Sequence, residues 1–270
     1  MRLNLVDSHC HLDMLDLSEF EGHMDNVIKQ ANDNQVSDLL SIAVDLESFP
    51  RILETAKKYP NVSASVGLHP CYDPQLKVSV EQLIALADNE NVIAIGGTGL
   101  DYYMNDGSDP QGEQFNWQRE RFRIHIRAAI ACNKPLIIHT RDACDDTIRI
   151  LQEEGAQQCG AIMHCFVEDQ ATAEKALAMG FYISFSGIVT FKSAKALQKV
   201  AKIIPDNRLL IETDSPYLAP VPMRGKKNQP AYVLHIAEFL AELRGVSVKH
   251  IAQLTRENYF TLFPRISGTT

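Results

Sequence analysis

Eight short apolar runs recur along the chain, and segments with helical periodicity separate them. The runs are LNLVDSH (3–9), SDLLSIAV (37–44), VSASVGLH (62–69), NVIAIGG (91–97), PLIIHT (135–140), AIMHCF (161–166), FYISFSG (181–187) and LLIETDS (209–215). Their spacing suits strand–helix–strand crossovers. Nearly continuous apolar strands are typical of a parallel sheet that helices cover on both faces.

The intervening segments predict helices over 79–89, 115–132, 143–154 and 171–180, and two more, 232–243 and 248–262, follow the eighth run. Eight such units predict an α/β fold, a (β/α)8 TIM barrel, in one domain over residues 1–270. An open doubly wound sheet is the alternative. Its nucleotide-binding forms lack support, because no GxGxxG or GxxxxGK[ST] motif follows any run.

Charge and composition restrict the function classes. A net charge of −8 argues against a protein that coats nucleic acid, although an enzyme that grips a strand end locally stays possible. The chain has no apolar stretch of the roughly 18 residues that a membrane span needs, and it begins without a signal peptide. We therefore expect a soluble, cytoplasmic protein, monomeric by default, whose six cysteines are mostly free thiols.

Histidines and an aspartate gather where strands end, which is where barrels of this type place their chemistry. His9 and His11 share one face of the first strand, so both imidazoles can point at one ion. His139, His164 and Asp214 close the fifth, sixth and eighth strands. One histidine after an apolar run is more often a packed or surface residue than a ligand. Five such residues together favour a divalent metal centre, and mixed imidazole and carboxylate ligands suit Mg, Mn, Zn, Ni or Fe alike. Cys10 and Cys165 adjoin these histidines but are predicted to pack in the core.

The chain resembles the TatD family of metal-dependent deoxyribonucleases and hydrolases, a branch of the amidohydrolase-type barrels. The matching stretches run from end to end in the expected order: VDSHCHLD (6–13), VGLHP (66–70), IGGTGLDYY (95–103), IIHTRDA (137–143), MHCF (163–166), ETDSPYL (212–218) and RGKKNQP (224–230). The resemblance implies one metal at His9, His11 and Asp214 and a second at His139 and His164. It also implies a DNA substrate, trimmed from a 3′ end.

One position departs from the family pattern. Where the family carries GE-x-GLD, with a glutamate that bridges the two metals, this chain has Gly97 in GGTGLD (96–101). Glycine has no side chain to ligate, so the first site keeps three protein ligands and the second keeps two and should be weak. Glu212 is expected deeper in the barrel as support for the ligands, and Asp101 on the following loop. Neither is an obvious replacement.

Several residues could contact the substrate. Arg224 and Lys226 follow strand eight, where barrels often bind phosphate, and Arg141 lies two residues beyond His139. Their alternatives are a solvated basic loop and a structural ion pair. His69 ends the third strand and could contact the scissile group, transfer a proton or only stabilise its loop. Tyr102 and Tyr103 could stack on bases or pack above the barrel.

The leading hypothesis is phosphodiester hydrolysis, in which metal-activated water attacks and Asp214 takes its proton. Amide, lactone or phosphotriester hydrolysis is the second hypothesis. The version with a modified lysine on strand four is disfavoured, since no lysine lies between Glu90 and Asp109. The third is a catalytically impaired barrel with a binding role, because Gly97 has removed the bridge.

Overall fold

The structure, a computed structural model, describes residues 2–103 and 112–264. Within them, eight strands pair in chain order and each is parallel to the next. The strands are β1 (Leu5–Cys10), β2 (Val36–Ser41), β3 (Val62–Val66), β4 (Val92–Asp101), β5 (Leu136–Arg141), β6 (Ala161–Met163), β7 (Tyr182–Phe185) and β8 (Leu209–Ile211). Residues 1, 104–111 and 265–270 of the single domain predicted from the sequence lie outside the described residues.

The first and last strands are joined where the site forms. The backbone N–H of Asp214 donates to the carbonyl of His9 at 2.9 Å, and that of His11 donates to Ser215 at 2.8 Å. The side chain of Asp7 accepts from both the backbone and the hydroxyl of Thr213. The predicted (β/α)8 barrel is confirmed, and these bonds hold residues of β1 and of the segment after β8 side by side.

Helices separate the strands along the chain. They are α1 (Met24–Asp33), α2 (Phe49–Lys58), α3 (Val80–Ala87), α4 (Asn116–Cys132), α5 (Cys144–Glu153), α6 (Gln170–Ala178), α7 (Lys195–Ile203), α8 (Val233–Arg244) and α9 (Val248–Leu262). Local signals fix several of their ends. Ser79 begins α3 with a capping box to Gln82, and Asp169 caps α6 by accepting from the backbone of Thr172. No helix in the described ranges is long and apolar enough to cross a membrane.

Two hydrophobic clusters divide the core. The larger one packs the helices on the outside of the barrel. The smaller one takes residues from seven of the eight strands, together with Tyr259 of α9 and Phe263 directly after it. Its residues alternate along the strands with those of the larger cluster: Ile137 lies between Leu136 and Ile138 and shares a face with His139, so the smaller cluster fills the barrel interior. The interior below the site is therefore packed with side chains, and the cavity lies at the other end, after the strands' carboxyl termini.

Strand β4 is longer than the sequence predicted. The run was expected to end at Gly97, but the strand continues to Asp101, with a register shift against β5 between Ile95 and Thr98. Gly99 explains the continuation: it has φ +134°, and a Cβ there would lie 1.9 Å from the carbonyl oxygen of His139. This glycine permits close approach of two strands and does not mark a turn. The expectation that Asp101 lies on a loop was therefore wrong.

Candidate metal centre

The five predicted ligands line one cavity of about 330 Å³, together with His69 and Gly97. We call His9, His11 and Asp214 the β1/β8 half-site. His9 Nε2 lies 3.3 Å from His11 Nε2 and 3.4 Å from Asp214 Oδ1, and the last two atoms are 3.3 Å apart. Ligand atoms about 2.1 Å from one ion in a tetrahedral arrangement lie roughly 3.4 Å from each other. The three donors therefore fit a divalent metal ion.

The β5/β6 half-site consists of His139 and His164. His139 Nδ1 lies 3.4 Å from His164 Nε2, which is again the separation of two ligands of one ion. The ring of His164 also stacks on that of His9, with centroids 3.8 Å apart and planes 10° from parallel. This stack places the two half-sites side by side at the wall of one cavity.

Hydrogen bonds fix the tautomers of three of these histidines. His11 donates through Nδ1 to the carbonyl of Ile42 at 3.1 Å. His139 donates through Nε2 to Asp101 at 2.9 Å, and His164 donates through Nδ1 to Glu212 at 3.1 Å. In each ring the other nitrogen keeps its lone pair, and that nitrogen is the one that faces a fellow ligand. The rings are thus oriented with these lone pairs towards the neighbouring ligands.

The protonation states of the histidines also suit metal binding. Burial, reinforced by the neighbouring imidazoles, lowers the pKa of His9 and of His69 well below the usual range. Burial also lowers the pKa of His139 despite its bond to Asp101. For His11 burial acts in the same direction, but the hydrogen bond and charge of Asp214 outweigh it and raise the pKa. Neutral imidazoles are the form that binds metal, so most of the cluster is available at neutral pH.

Gly97 is the one glycine of its strand segment whose backbone admits a side chain. A Cβ at position 97 would lie 3.4 Å from Ile42 Cγ2 and 4.0 Å from the carbonyl oxygen of Ala43, which is ordinary contact. At Gly96, by contrast, φ is +139° and a Cβ would lie 2.5 Å from the carbonyl oxygen of Ile137. Because Gly97 and Ile42 both line the cavity, a Cβ at position 97 would lie at the cavity wall.

His69 lies on the cavity wall beside the β5/β6 half-site. Its ring centroid is 4.6 Å from that of His139. Its Nδ1 accepts a hydrogen bond from the backbone N–H of Cys71 at 3.2 Å. Since the ring is neutral, its proton is then on Nε2. His69 therefore offers a hydrogen-bond donor, which favours contact with an anionic group over service as a base.

The predicted phosphate contacts are placed differently from the ligands. Arg141, Arg224 and Lys226 are exposed and lie outside the cavity wall that the described residues form. The guanidinium of Arg141 lies 3.5 Å from the ring centroid of Tyr103, and that of Arg224 lies 4.1 Å from that of Phe191. Phosphate binding by these three residues stays a prediction.

The two tyrosines after β4 have different surroundings. Tyr102 stacks on Phe115, and its hydroxyl donates to Asp146 at 2.9 Å, so it packs above the barrel. Tyr103 is more than half exposed, and the guanidinium of Arg141 lies over its ring. Of the pair, Tyr103 has the face that could meet a base.

Sequence reasoning missed two residues and placed a third correctly. Asp101 orients His139, and hydrogen bonds from His139 and from the backbone of Tyr103 hold the pKa of this carboxyl at about 2 although burial alone would raise it. Tyr217 lines the cavity near His11, and its place in the ETDSPYL stretch was a signal for it. Glu212 lies fully buried behind the ligands, as expected.

The cysteines do not join the ligand groups found in the described residues. All six are free thiols, as the sequence predicted. Cys10 donates to the carbonyl of Leu40, and Cys165 lies 3.1 Å from the hydroxyl of Ser186. Burial raises the pKa of both thiols far above the usual range, so neither carries a ligating thiolate at neutral pH.

Comparison with known proteins gives a consistent result. The Escherichia coli (strain K12) protein named "Uncharacterized metal-dependent hydrolase YcfH" is 47% identical over 261 residues, which cover 96% of this chain and 95% of that protein. TATDN3 of mouse, by name a candidate deoxyribonuclease, is 31% identical over 281 residues, 99% of this chain and 91% of its own. The crystal structure of YJJV, a TatD homologue from Escherichia coli K12, has a TM-score of 0.87 at 29% identity and covers 97% of this chain and 99% of its own.

The family model described as "TatD related DNase" matches residues 6–264, which span every strand of the barrel and both half-sites. This match agrees with the resemblance carried by the sequence motifs. The chain belongs to the TatD-related DNase family.

Proposed function

We propose that this protein is a metal-dependent hydrolase that cleaves phosphodiester bonds of DNA at the cavity after the strands. The observation that carries the proposal is the β1/β8 half-site. Its three donor atoms lie 3.3–3.4 Å apart at the wall of an accessible cavity. The names of the family and of its mouse relative support DNA as the substrate.

A divalent ion bound by His9, His11 and Asp214 would lower the pKa of a water molecule and polarise a phosphoryl oxygen. The remaining chemistry belongs to the chain. Asp214 Oδ1 faces both histidines, so its second oxygen is left to orient the attacking water and to accept its proton. This carboxylate is about one-eighth exposed, which gives water access to it.

His69 would bind the anionic substrate from the cavity wall beside the β5/β6 half-site. Its Nδ1 is occupied by the backbone of Cys71, so its Nε2–H is the group available to a phosphoryl oxygen. A donor held in place before the reaction stabilises charge that grows on that oxygen. His69 would thus act as a hydrogen-bond donor, while Asp214 takes the proton.

Basic residues at the rim would hold the flanking phosphates. Arg141, Arg224 and Lys226 are exposed outside the cavity wall, so they would contact phosphates next to the cleaved bond and not the bond itself. The net charge of −8 leaves little attraction for DNA elsewhere on the chain, so binding would be local and weakened by salt.

Single-stranded oligonucleotides labelled at either end test this proposal directly. We expect slow, Mg- or Mn-dependent cleavage by the protein and no cleavage by Asp214→Asn. The Gly97→Glu variant should cleave at least about tenfold faster, because a carboxylate between the half-sites can hold the second ion.

A parallel screen of small esters, lactones, amides and phosphotriesters separates the alternatives. If Gly97→Glu leaves DNA intact but hydrolyses one of these, the nuclease assignment is wrong and the second hypothesis replaces it. If neither protein hydrolyses anything while metal still binds, a barrel with a binding role is the better account.

A further inference from the structure

The carboxylate of Glu212 is buried directly behind the ligands, on the side away from the cavity. Its Oε1 accepts from His164 Nδ1 at 3.1 Å and from the backbone N–H of Cys165 at 2.8 Å. Its Oε2 is equally buried, yet it has no hydrogen-bond partner among the described residues. A buried carboxylate oxygen without a donor is costly, so this atom needs an explanation.

His9 also has a buried polar atom without a hydrogen-bond partner among the described residues. Its Nε2 faces His11 and Asp214, and its Nδ1 is buried without a partner among the described residues. His9 is therefore the one ligand histidine whose tautomer no hydrogen bond fixes here. One ring nitrogen of His9, one of His164 and one carboxylate oxygen of Glu212 all lie within 4.8 Å of one another.

We infer that Glu212 is a positioning residue shared by the two half-sites, with Oε1 holding His164 and Oε2 receiving the Nδ1–H of His9. Each oxygen then serves one ring, and both rings keep the Nε2 lone pair for metal. Because His9 belongs to the β1/β8 half-site and His164 to the β5/β6 half-site, one buried carboxylate orients a ligand of each. The inference rests on the metal site of the proposed function.

The same three residues do not form a further metal site. An imidazole binds metal along a lone pair that lies in the plane of its ring. The rings of His9 and His164 are stacked with planes only 10° from parallel, so an ion between them would lie well outside both planes. One oxygen of Glu212 is also committed to a backbone N–H. Hydrogen bonding therefore accounts for this cluster better than an ion does.

Glu212→Gln keeps the shape of the side chain but replaces one acceptor with an NH2 donor. That donor must meet a nitrogen lone pair, so one of the two rings has to move its proton to Nε2. The ring that changes loses the lone pair that faces the metal. Partners of this kind typically contribute 10–100-fold to metal affinity, and we expect a loss of about that size.

Asp101→Asn is the matched control. Asp101 bonds to His139 and to no other ligand histidine among the described residues. Its amide variant should disturb only the β5/β6 half-site and leave His9 unchanged. Glu212→Gln, by contrast, should weaken the tight ion held by His9, His11 and Asp214 if the ring that changes is His9.

The experiment is ¹⁵N NMR of the imidazole nitrogens in the metal-free protein, followed by titration with Zn²⁺. We expect His9 and His164 both to be protonated on Nδ1, and one of them to move its proton to Nε2 in Glu212→Gln. A wild-type His9 that carries its proton on Nε2 would overturn the inference. So would ring signals of His9 and His164 that Glu212→Gln leaves unchanged. The wild-type measurement decides even if the variant does not fold.

Failure of the proposed function would look different. The tautomers are read without metal or substrate, so the absence of DNA cleavage leaves this result intact. If both rings show the expected tautomers but no ion binds, the metal-dependent function fails and the positioning role of Glu212 stands.

Discussion

The β1/β8 and β5/β6 half-sites share one cavity but are completed in different ways. The first has three donor atoms at mutual distances of 3.3–3.4 Å, and two backbone hydrogen bonds, from Asp214 to His9 and from His11 to Ser215, hold its two segments together. The second has two donors, and Asp101 and Glu212 orient them from behind. The first half-site has three protein ligands, the number typical of a catalytic ion, whereas the second has support for both rings but only two ligands.

Gly97 sharpens this difference, because the bridging carboxylate that the family pattern places there would add one ligand to each half-site. The carboxylates that orient His139 and His164 are in place, and the backbone at position 97 leaves room for a side chain. The hydrogen-bonded support for the two rings of the β5/β6 half-site is therefore in place.

The largest expected effect distinguishes Gly97 from its neighbour Gly99. A Cβ at Gly99 would lie 1.9 Å from the carbonyl oxygen of His139, so Gly99→Ala should lose on the order of 4 kcal/mol of unfolding free energy. Gly97→Ala should stay within about 1 kcal/mol of the parent. Urea unfolding measures both. Equal unfolding free energies of the two variants would show that position 97 has no more room for a Cβ than position 99.

The next effect separates the half-sites by metal affinity. Asp214→Asn removes a charged ligand that faces both His9 and His11, so the tight ion should bind more than about 100-fold more weakly. His139→Ala touches only the weak half-site and should change the affinity of the tight ion less than about threefold. Isothermal titration with Mn²⁺ or Zn²⁺ compares them. Similar losses in both variants would mean that the ions are not held separately.

A smaller effect concerns Asp146 of α5, which lies outside both half-sites and holds Tyr102 after β4. Asp146 accepts from Tyr102, Arg119 and Arg149. Burial would raise its pKa, but these bonds lower it to about 2. A lowered folded-state pKa gives stability that is present above the unfolded value near 3.8 and is lost as the pH falls towards 2.

Asp146→Asn should therefore cost on the order of 1 kcal/mol at pH 7, since the group is partly screened by solvent. The cost should shrink between pH 4 and about pH 2. Thermal unfolding of both proteins across that range is the measurement. A stability difference between the two proteins that grows as the pH falls would contradict this prediction.

Much of this account could be predicted from the sequence, because strand ends and ligand types are local signals. The apolar run LIIHT (136–140) predicts a strand with His139 near its end. Strand alternation places His9 and His11 on one face of the first strand. Eight such runs predict the barrel. The family motif of strand four identifies Gly97 as the position where this chain lacks the glutamate.

Other features depend on contacts that no local pattern encodes. Asp101 reaches His139 because Gly99 lets β4 run close beside β5, which a glycine-rich motif does not distinguish from a turn. The residues around Glu212 come from β1 and from the segment after β6, far away in the chain. Ring tautomers depend on those partners, so they too could be read only from the fold.

Metal content tests the central claim most directly. The protein and its Gly97→Glu variant would be loaded with Zn²⁺, desalted and measured for bound metal by native mass spectrometry, with Gly97→Ala as the control for the added Cβ. We predict one retained ion for the protein and for Gly97→Ala, and two for Gly97→Glu. Two ions retained equally by all three proteins would contradict the asymmetry between the half-sites.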